Sequence, residues 1–117
     1  MIETIVLRHL QARTHLPCYP EVPELPESEY IVIEKTGSGR SDCIDRATIA
    51  VKSCSHISLL RAAEINESVK EAMDALPENP EIFRSALNGD YNYTDTETKT
   101  YRYQAVYDIT FQEVLNE

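Results

Sequence analysis

The apolar positions of this chain follow two periods, one of 3.6 residues and one of 2. Ile2, Ile5, Val6, His9 and Leu10 fall at i, i+3, i+4, i+7 and i+8, with Glu3, Arg8 and Gln11 on the other side. That spacing predicts an amphipathic helix over 2–13, and Pro17 ends it. Residues 18–29 then carry three prolines and four glutamates (Pro20, Pro23, Pro26; Glu21, Glu24, Glu27, Glu29). Proline fixes φ and has no N–H to give a ladder, so this reads as an extended surface connection with room for a short strand around Cys18-Tyr19.

Tyr30–Lys35 is a β-branched apolar run of strand length, and Ile44–Cys54 is a second one. In the latter, Ala47, Ile49 and Val51 alternate with Thr48, Ala50 and Lys52. Between them lies Thr36-Gly37-Ser38-Gly39-Arg40-Ser41-Asp42, rich in turn formers, so the pair reads as a hairpin with a long, mobile tip. Ser55 or Ser58 then caps a helix whose stripe is Ala62, Ile65, Val69, Ala72, Met73 and Leu76, closed by Pro77 and Pro80. Two more strands follow. Leu87, Tyr91 and Tyr93 alternate with polar residues, Asp95–Lys99 turns the chain, and Tyr101, Tyr103, Ala105, Tyr107, Ile109 and Phe111 share one face of the last strand. A slip of one residue there would move the whole aromatic row into water, which fixes the register.

The predicted order is α-β-β-α-β-β. Separated hairpins with interposed helices favour an α+β fold: a mostly antiparallel sheet of about four strands with two helices packed on one face. The 117 residues leave room for one domain, expected over 1–117, and the 42% apolar share can fill its core.

Charge narrows the function. Asp and Glu outnumber Lys and Arg 20 to 11, for a net charge of −9. Gripping a phosphate backbone needs a basic face, so nucleic-acid binding is disfavoured, while an acidic wall that DNA slides past is compatible. No stretch has the apolar length of a membrane span, and Met1–Ile5 does not read as a signal peptide. A protein made in a cytoplasm is the expectation.

Candidate chemistry is thin. Cys18, Cys43 and Cys54 are an odd, widely spaced set without C-x-x-C; three reduced thiols, buried or half buried, fit them best. Gly37-Ser38-Gly39-Arg40-Ser41 superficially resembles a phosphate cradle, but the next element is a strand, so no helix N-terminus faces an anion. His9, on an apolar face, reads as a packed, hydrogen-bonded histidine. Asp90, Asp95 and Glu97 cluster near a turn without calcium-loop spacing. No catalytic residue, cofactor-binding residue or metal ligand is assigned, and the chain is not expected to be an enzyme. The tyrosines of the last hairpin read mainly as cross-strand core packing, with an interface as their second use.

The layout also carries a likeness. Tyr19-Pro20-Glu21-Val22-Pro23 after an opening helix, Tyr30-Ile31-Val32-Ile33-Glu34-Lys35-Thr36-Gly37, and a close on Asp90–Asp95 and Tyr101–Phe111 together resemble the tail terminator, or tail completion, proteins of long-tailed bacteriophages and prophages. The likeness covers nearly the whole chain and rests on order, lengths and the final hairpin. It implies a structural protein of virion assembly, made in the bacterial host and resident at the tail–head junction. Such proteins form a ring, usually a hexamer, on the tail tube, stop tube growth and offer the surface where the head docks. The implied partners are further copies of itself, the major tail tube protein and a head-completion or connector protein, with DNA passing through unbound. Loop position makes Arg40, Asp42, Asp45, Arg46, Asp95 and Lys99 candidates for the ring contact, which joins unlike patches. The alternatives are a head-closure or head–tail adaptor protein, and a small bacterial ligand-binding α+β domain.

Overall fold

The computed structural model describes residues 1–112; positions 113–117 of the expected domain lie outside them. The elements are α1 (Ile2–Thr14), β1 (Cys18–Tyr19), β2 (Glu29–Ser41), β3 (Ile44–Ser55), α2 (Leu59–Asp74) with a 3-10 turn at Leu76–Glu78, β4 (Ile82–Asn92) and β5 (Tyr101–Phe111). The fold is α+β, as expected. The sheet has five strands in the order β1-β2-β3-β5-β4 and is mixed, because β1 runs parallel to β2 (Cys18 beside Ile31, Tyr19 beside Val32). The other pairings are antiparallel. The expected four strands thus gain a short fifth, where the proline segment first meets the sheet.

Both helices lie on one face. Ile2, Val6 and Leu10 of α1 and Ala62, Ile65, Val69, Ala72 and Met73 of α2 are buried against Ile31, Ile33, Ile49, Val51, Ala105, Tyr107, Ile109 and Phe111. The stripe expected of α2, including Leu76, is buried throughout. Ser58 caps α2, its Oγ accepting from the Arg61 N–H at 3.1 Å. His9 is packed as expected, with Nε2 2.6 Å from the Ala72 carbonyl oxygen, which ties α1 to α2.

Two polar contacts pin α2 further. Arg61 forks onto Glu29 at the start of β2, with Nε donating to Oε2 at 2.7 Å and a terminal nitrogen to Oε1 at 3.0 Å. The Arg61 hydrogen bond holds the Glu29 carboxyl below its usual range, against some desolvation. A carboxylate whose folded pKa is depressed stabilises the fold above its unfolded pKa, and that contribution fades as pH falls through the folded value. Glu29→Gln should therefore lower the melting temperature by a few degrees at pH 7, and the gap to wild type should close in acid. Melting curves at several pH values between 3 and 7, a range set by ordinary carboxylate titration, check this; a gap that stays constant would contradict it.

The second contact lies between α2 and β4. Asn66, 1% exposed, donates from Nδ2 to Asp90 Oδ2 at 2.8 Å, and Lys70 Nζ reaches the same oxygen at 3.1 Å. Asn66 Oδ1 and Tyr107 Oη are buried with no hydrogen-bond partner among the described residues.

The hairpin corrects one expectation. The glycine-bearing segment is not a long mobile tip: β2 continues to Ser41 and β3 begins at Ile44, leaving only two residues between them. Gly37 pairs with Thr48, Ser38 with Ala47, Gly39 with Arg46 and Arg40 with Asp45, after one bulge between Lys35 and Gly37. No glycine has positive φ, so these glycines serve as extended residues. Their turn-forming tendency yields to a ladder with β3 that runs regularly from Gly37 to Ser41.

Candidate assembly surface

Asp42 and Cys43 make the hairpin turn, with φ of 53° and 64°. Two successive left-handed residues are what a two-residue type I′ turn requires, because its twist matches the strands it joins. Aspartate tolerates this conformation, whereas a cysteine there carries a Cβ clash of about 1 kcal/mol or more. Cys43→Gly should raise stability by about 0.5–1 kcal/mol, even after the entropy glycine loses on folding. Urea unfolding of both proteins checks it; an unchanged or lower midpoint refutes it.

The structure divides the six candidate contact residues between two places. Arg40, Asp42, Asp45 and Arg46 lie together at the β2–β3 tip. Arg40 Nε sits 3.3 Å from Asp45 Oδ1, directly across the strand pair, with the Arg40 side chain 70% exposed. This pair is screened by water and contributes little to stability, so Arg40 keeps an accessible charge. Asp95 and Lys99 lie at the opposite end of the sheet. That follows from register, since Asp45 pairs with Phe111 while Asn92 pairs with Tyr103. Asp95 also organises its own turn: Oδ1 accepts the Glu97 N–H at 3.0 Å and Oδ2 the Thr98 hydroxyl at 2.8 Å. The Thr98 hydroxyl and then the Glu97 N–H hold its carboxyl below the usual range. Lys99, with φ of 56°, is the exposed corner of that turn.

The face without helices holds a small buried cluster of Tyr30, Val32 and Cys54 and is otherwise polar and cross-linked. Thr48 donates to Asp108 at 3.0 Å, Asn88 donates to the same carboxylate at 3.1 Å, and Lys52 reaches Glu34 at 3.1 Å. Toward the Asp95 end it becomes aromatic. Tyr91 and Tyr93 meet edge to face at 6.2 Å, and the Arg102 guanidinium lies 4.8 Å from the Tyr93 ring centroid. Both uses of tyrosine occur: Tyr30 and Tyr107 are buried, with hydroxyl pKa values pushed up to about 12, chiefly by burial, while Tyr91 and Tyr93 are exposed. Tyrosine beside arginine is the composition of a protein contact.

Two strand edges escaped the sequence reading. β1 covers β2 only at Ile31 and Val32, so beyond that point no described strand lies on the outer side of β2. Residues 34–43 are all exposed. β4 is the other edge of the sheet, and it exposes Phe83 and Leu87. The alternation of Gly37 and Gly39 with polar residues was the one signal that the strand continued.

Reactive chemistry is sparse here too. Cys18 and Cys54 are buried, and desolvation pushes their thiols up to about 12 and about 11, so both stay protonated. Cys43 is exposed at the turn rather than buried or half buried. Among the described residues, no group of three His, Cys, Asp or Glu side chains is placed to hold a metal ion, and no helix is long and apolar enough to cross a membrane.

No family model and no curated protein sequence matches the chain. The fold does have a counterpart among solved structures. A chain of the "Virion of native gene transfer agent (GTA) particle" superposes with a TM-score of 0.55 at 11% identity, over 96% of this chain and 95% of that one. The α+β arrangement described above is thus shared, nearly end to end, with a component of that particle.

Proposed function

We propose that this chain is a structural component of a phage-like particle, which caps the tail tube as a ring, ends tube growth and presents the surface for head joining. The observation that carries the reading is the end-to-end likeness to a chain of a gene transfer agent virion, in which neither partner has a large segment unmatched. A shared fold at 11% identity does not transfer a role by itself. The surface supplies the second support. Two unpaired strand edges, an exposed charged tip and a tyrosine–arginine patch are features of a protein that works by contact. The net charge of −9 suits a ring through which DNA passes without being held. Its partners on this reading are its own copies (a hexamer in the family it resembles), the major tail tube protein and a head-completion or connector protein, and its place is the tail–head junction. The role needs no catalysis and no cofactor.

Electron microscopy of particles made without this protein tests the proposal. Overlong, headless tails are expected. Tails of normal length beside heads that leak DNA would instead indicate head closure, and unaltered infectious particles would refute a neck role altogether.

A further inference from the structure

The two free edges fit each other. By register, β2 and β5 run toward the Asp42 turn, and β3 and β4 run away from it. Copies related by rotation about an axis roughly along the strands keep these directions. The outer edge of β2 in one copy then meets the outer edge of β4 in the next as an antiparallel pair, the ladder type already used three times in this sheet. The contact joins unlike patches, as a closed ring requires.

Both edges carry some of the devices that blunt natural edges, but each keeps a regular stretch open. Such devices are proline, brevity, bulges and charged side chains, and Lys35, Arg40 and Arg84 are charged. Beyond its bulge at Lys35/Gly37, β2 runs regularly to Ser41 with no proline, and a Cβ built on Gly37 or Gly39 meets nothing within 4 Å. β4 has bulges at Ile82/Arg84 and Leu87/Gly89, but Arg84–Leu87 between them is regular. Apolar surface matches as well. Leu87 pairs with the buried Tyr107, which places it on the helix-covered side, where it is 43% exposed. On that same side, beside the free half of β2, lies an open groove of about 620 Å³ lined by Ile2, Lys35, Ser38, Arg40 and Phe111.

We infer that Lys35–Ser41 of β2 pairs with the outer edge of β4 in a second copy of this chain, so that the sheet continues from subunit to subunit and Leu87 enters the neighbour's groove. This deepens the ring reading above and rests on it.

Disulfide trapping tests the inference. In a Cys43→Ser background of the full chain, Gly39→Cys is combined in turn with Arg84→Cys, Ala86→Cys and Asn88→Cys. Within one copy β2 and β4 are three strand spacings apart, roughly 14 Å at about 4.8 Å each. A disulfide spans at most about 7 Å between Cα atoms, so any bond formed joins two copies. At least one combination should give, after mild oxidation, a non-reducing gel ladder ending in a closed ring, while each single cysteine yields dimers at most. Rings seen by native mass spectrometry without a ladder from any of the three would overturn the edge pairing and leave the ring intact. A chain that forms no ring, even with purified tail tubes of its own particle, would overturn the ring reading as well.

Discussion

Asn66→Asp should cost about 3–5 kcal/mol at pH 7, among the largest effects available from a single atom exchange. The site is nearly sealed, at 1% exposure, and the Asn66 amide nitrogen lies 2.8 Å from an Asp90 oxygen. The substitution removes that donor and sets an oxygen against an oxygen. Lys70, 3.1 Å from Asp90, is shared with Glu67 and offers only partial relief. Burial and the Asp90 charge both disfavour ionising the introduced carboxyl, so its folded pKa rises above the unfolded one. The sign is then the reverse of that at Glu29. The variant comes nearest to wild type below the unfolded pKa of about 4 and loses stability as pH rises toward its folded pKa. Urea titrations at pH 4 and pH 7 check this, and a deficit equal at both would show that the carboxylate is not the cause.

Leu10→Ala should be comparably severe, at about 3–5 kcal/mol, or a fall in melting temperature on the order of 10–20 °C. Leu10 is fully buried, and with Ile2 and Val6 it makes up the buried side of α1. The polar ties of this helix, His9 to the Ala72 carbonyl oxygen and Glu3 to Lys35, lie at its margins and do not replace that apolar contact. A cavity there removes a large part of what fastens α1 to α2 and the sheet. Thermal unfolding followed by circular dichroism measures the loss. A cost below about 1 kcal/mol would mean that the neighbours collapse to fill the space, which large-to-small core changes seldom allow.

What could be read in advance, and what could not, follows from the range of the forces involved. The α2 stripe and the β5 alternation were legible because burial of one face imposes a period on neighbouring residues. A serine cap, at Ser55 or Ser58, and Pro77 as a stop were legible because caps and breaks act within a turn of helix. The structure selects Ser58 and leaves Ser55 in β3. The β2–β3 turn was misplaced because Gly37 and Gly39 carry a strong local signal while Asp42-Cys43 carries a weak one. What decides the matter is pairing with Thr48, Ala47 and Arg46, which no local window contains. β1 was visible only as an allowance within a proline segment. The six contact residues were named by loop position, which could not reveal that the structure sets them at two ends of the sheet. Nor could the free edges be seen, since being an edge is a property of strand order: β4 is one because β5 inserts between it and β3.

That insertion has a consequence for how the chain is made. β5 is the last of the described strands to be synthesised, yet it holds a central position, pairing with β3 on one side and β4 on the other. Until Tyr101–Phe111 has left the ribosome, β3 has one unsatisfied edge and β4 has no neighbour in the sheet, while Tyr107, Ile109 and Phe111 are missing from the core. Asp45 and Phe111 pair across most of the chain, the long-range kind of contact that slows folding. Folding of this sheet therefore waits until Tyr101–Phe111 has been made. In that interval the nascent chain carries more open strand edge than the finished subunit ever does, and chaperone protection matters most then.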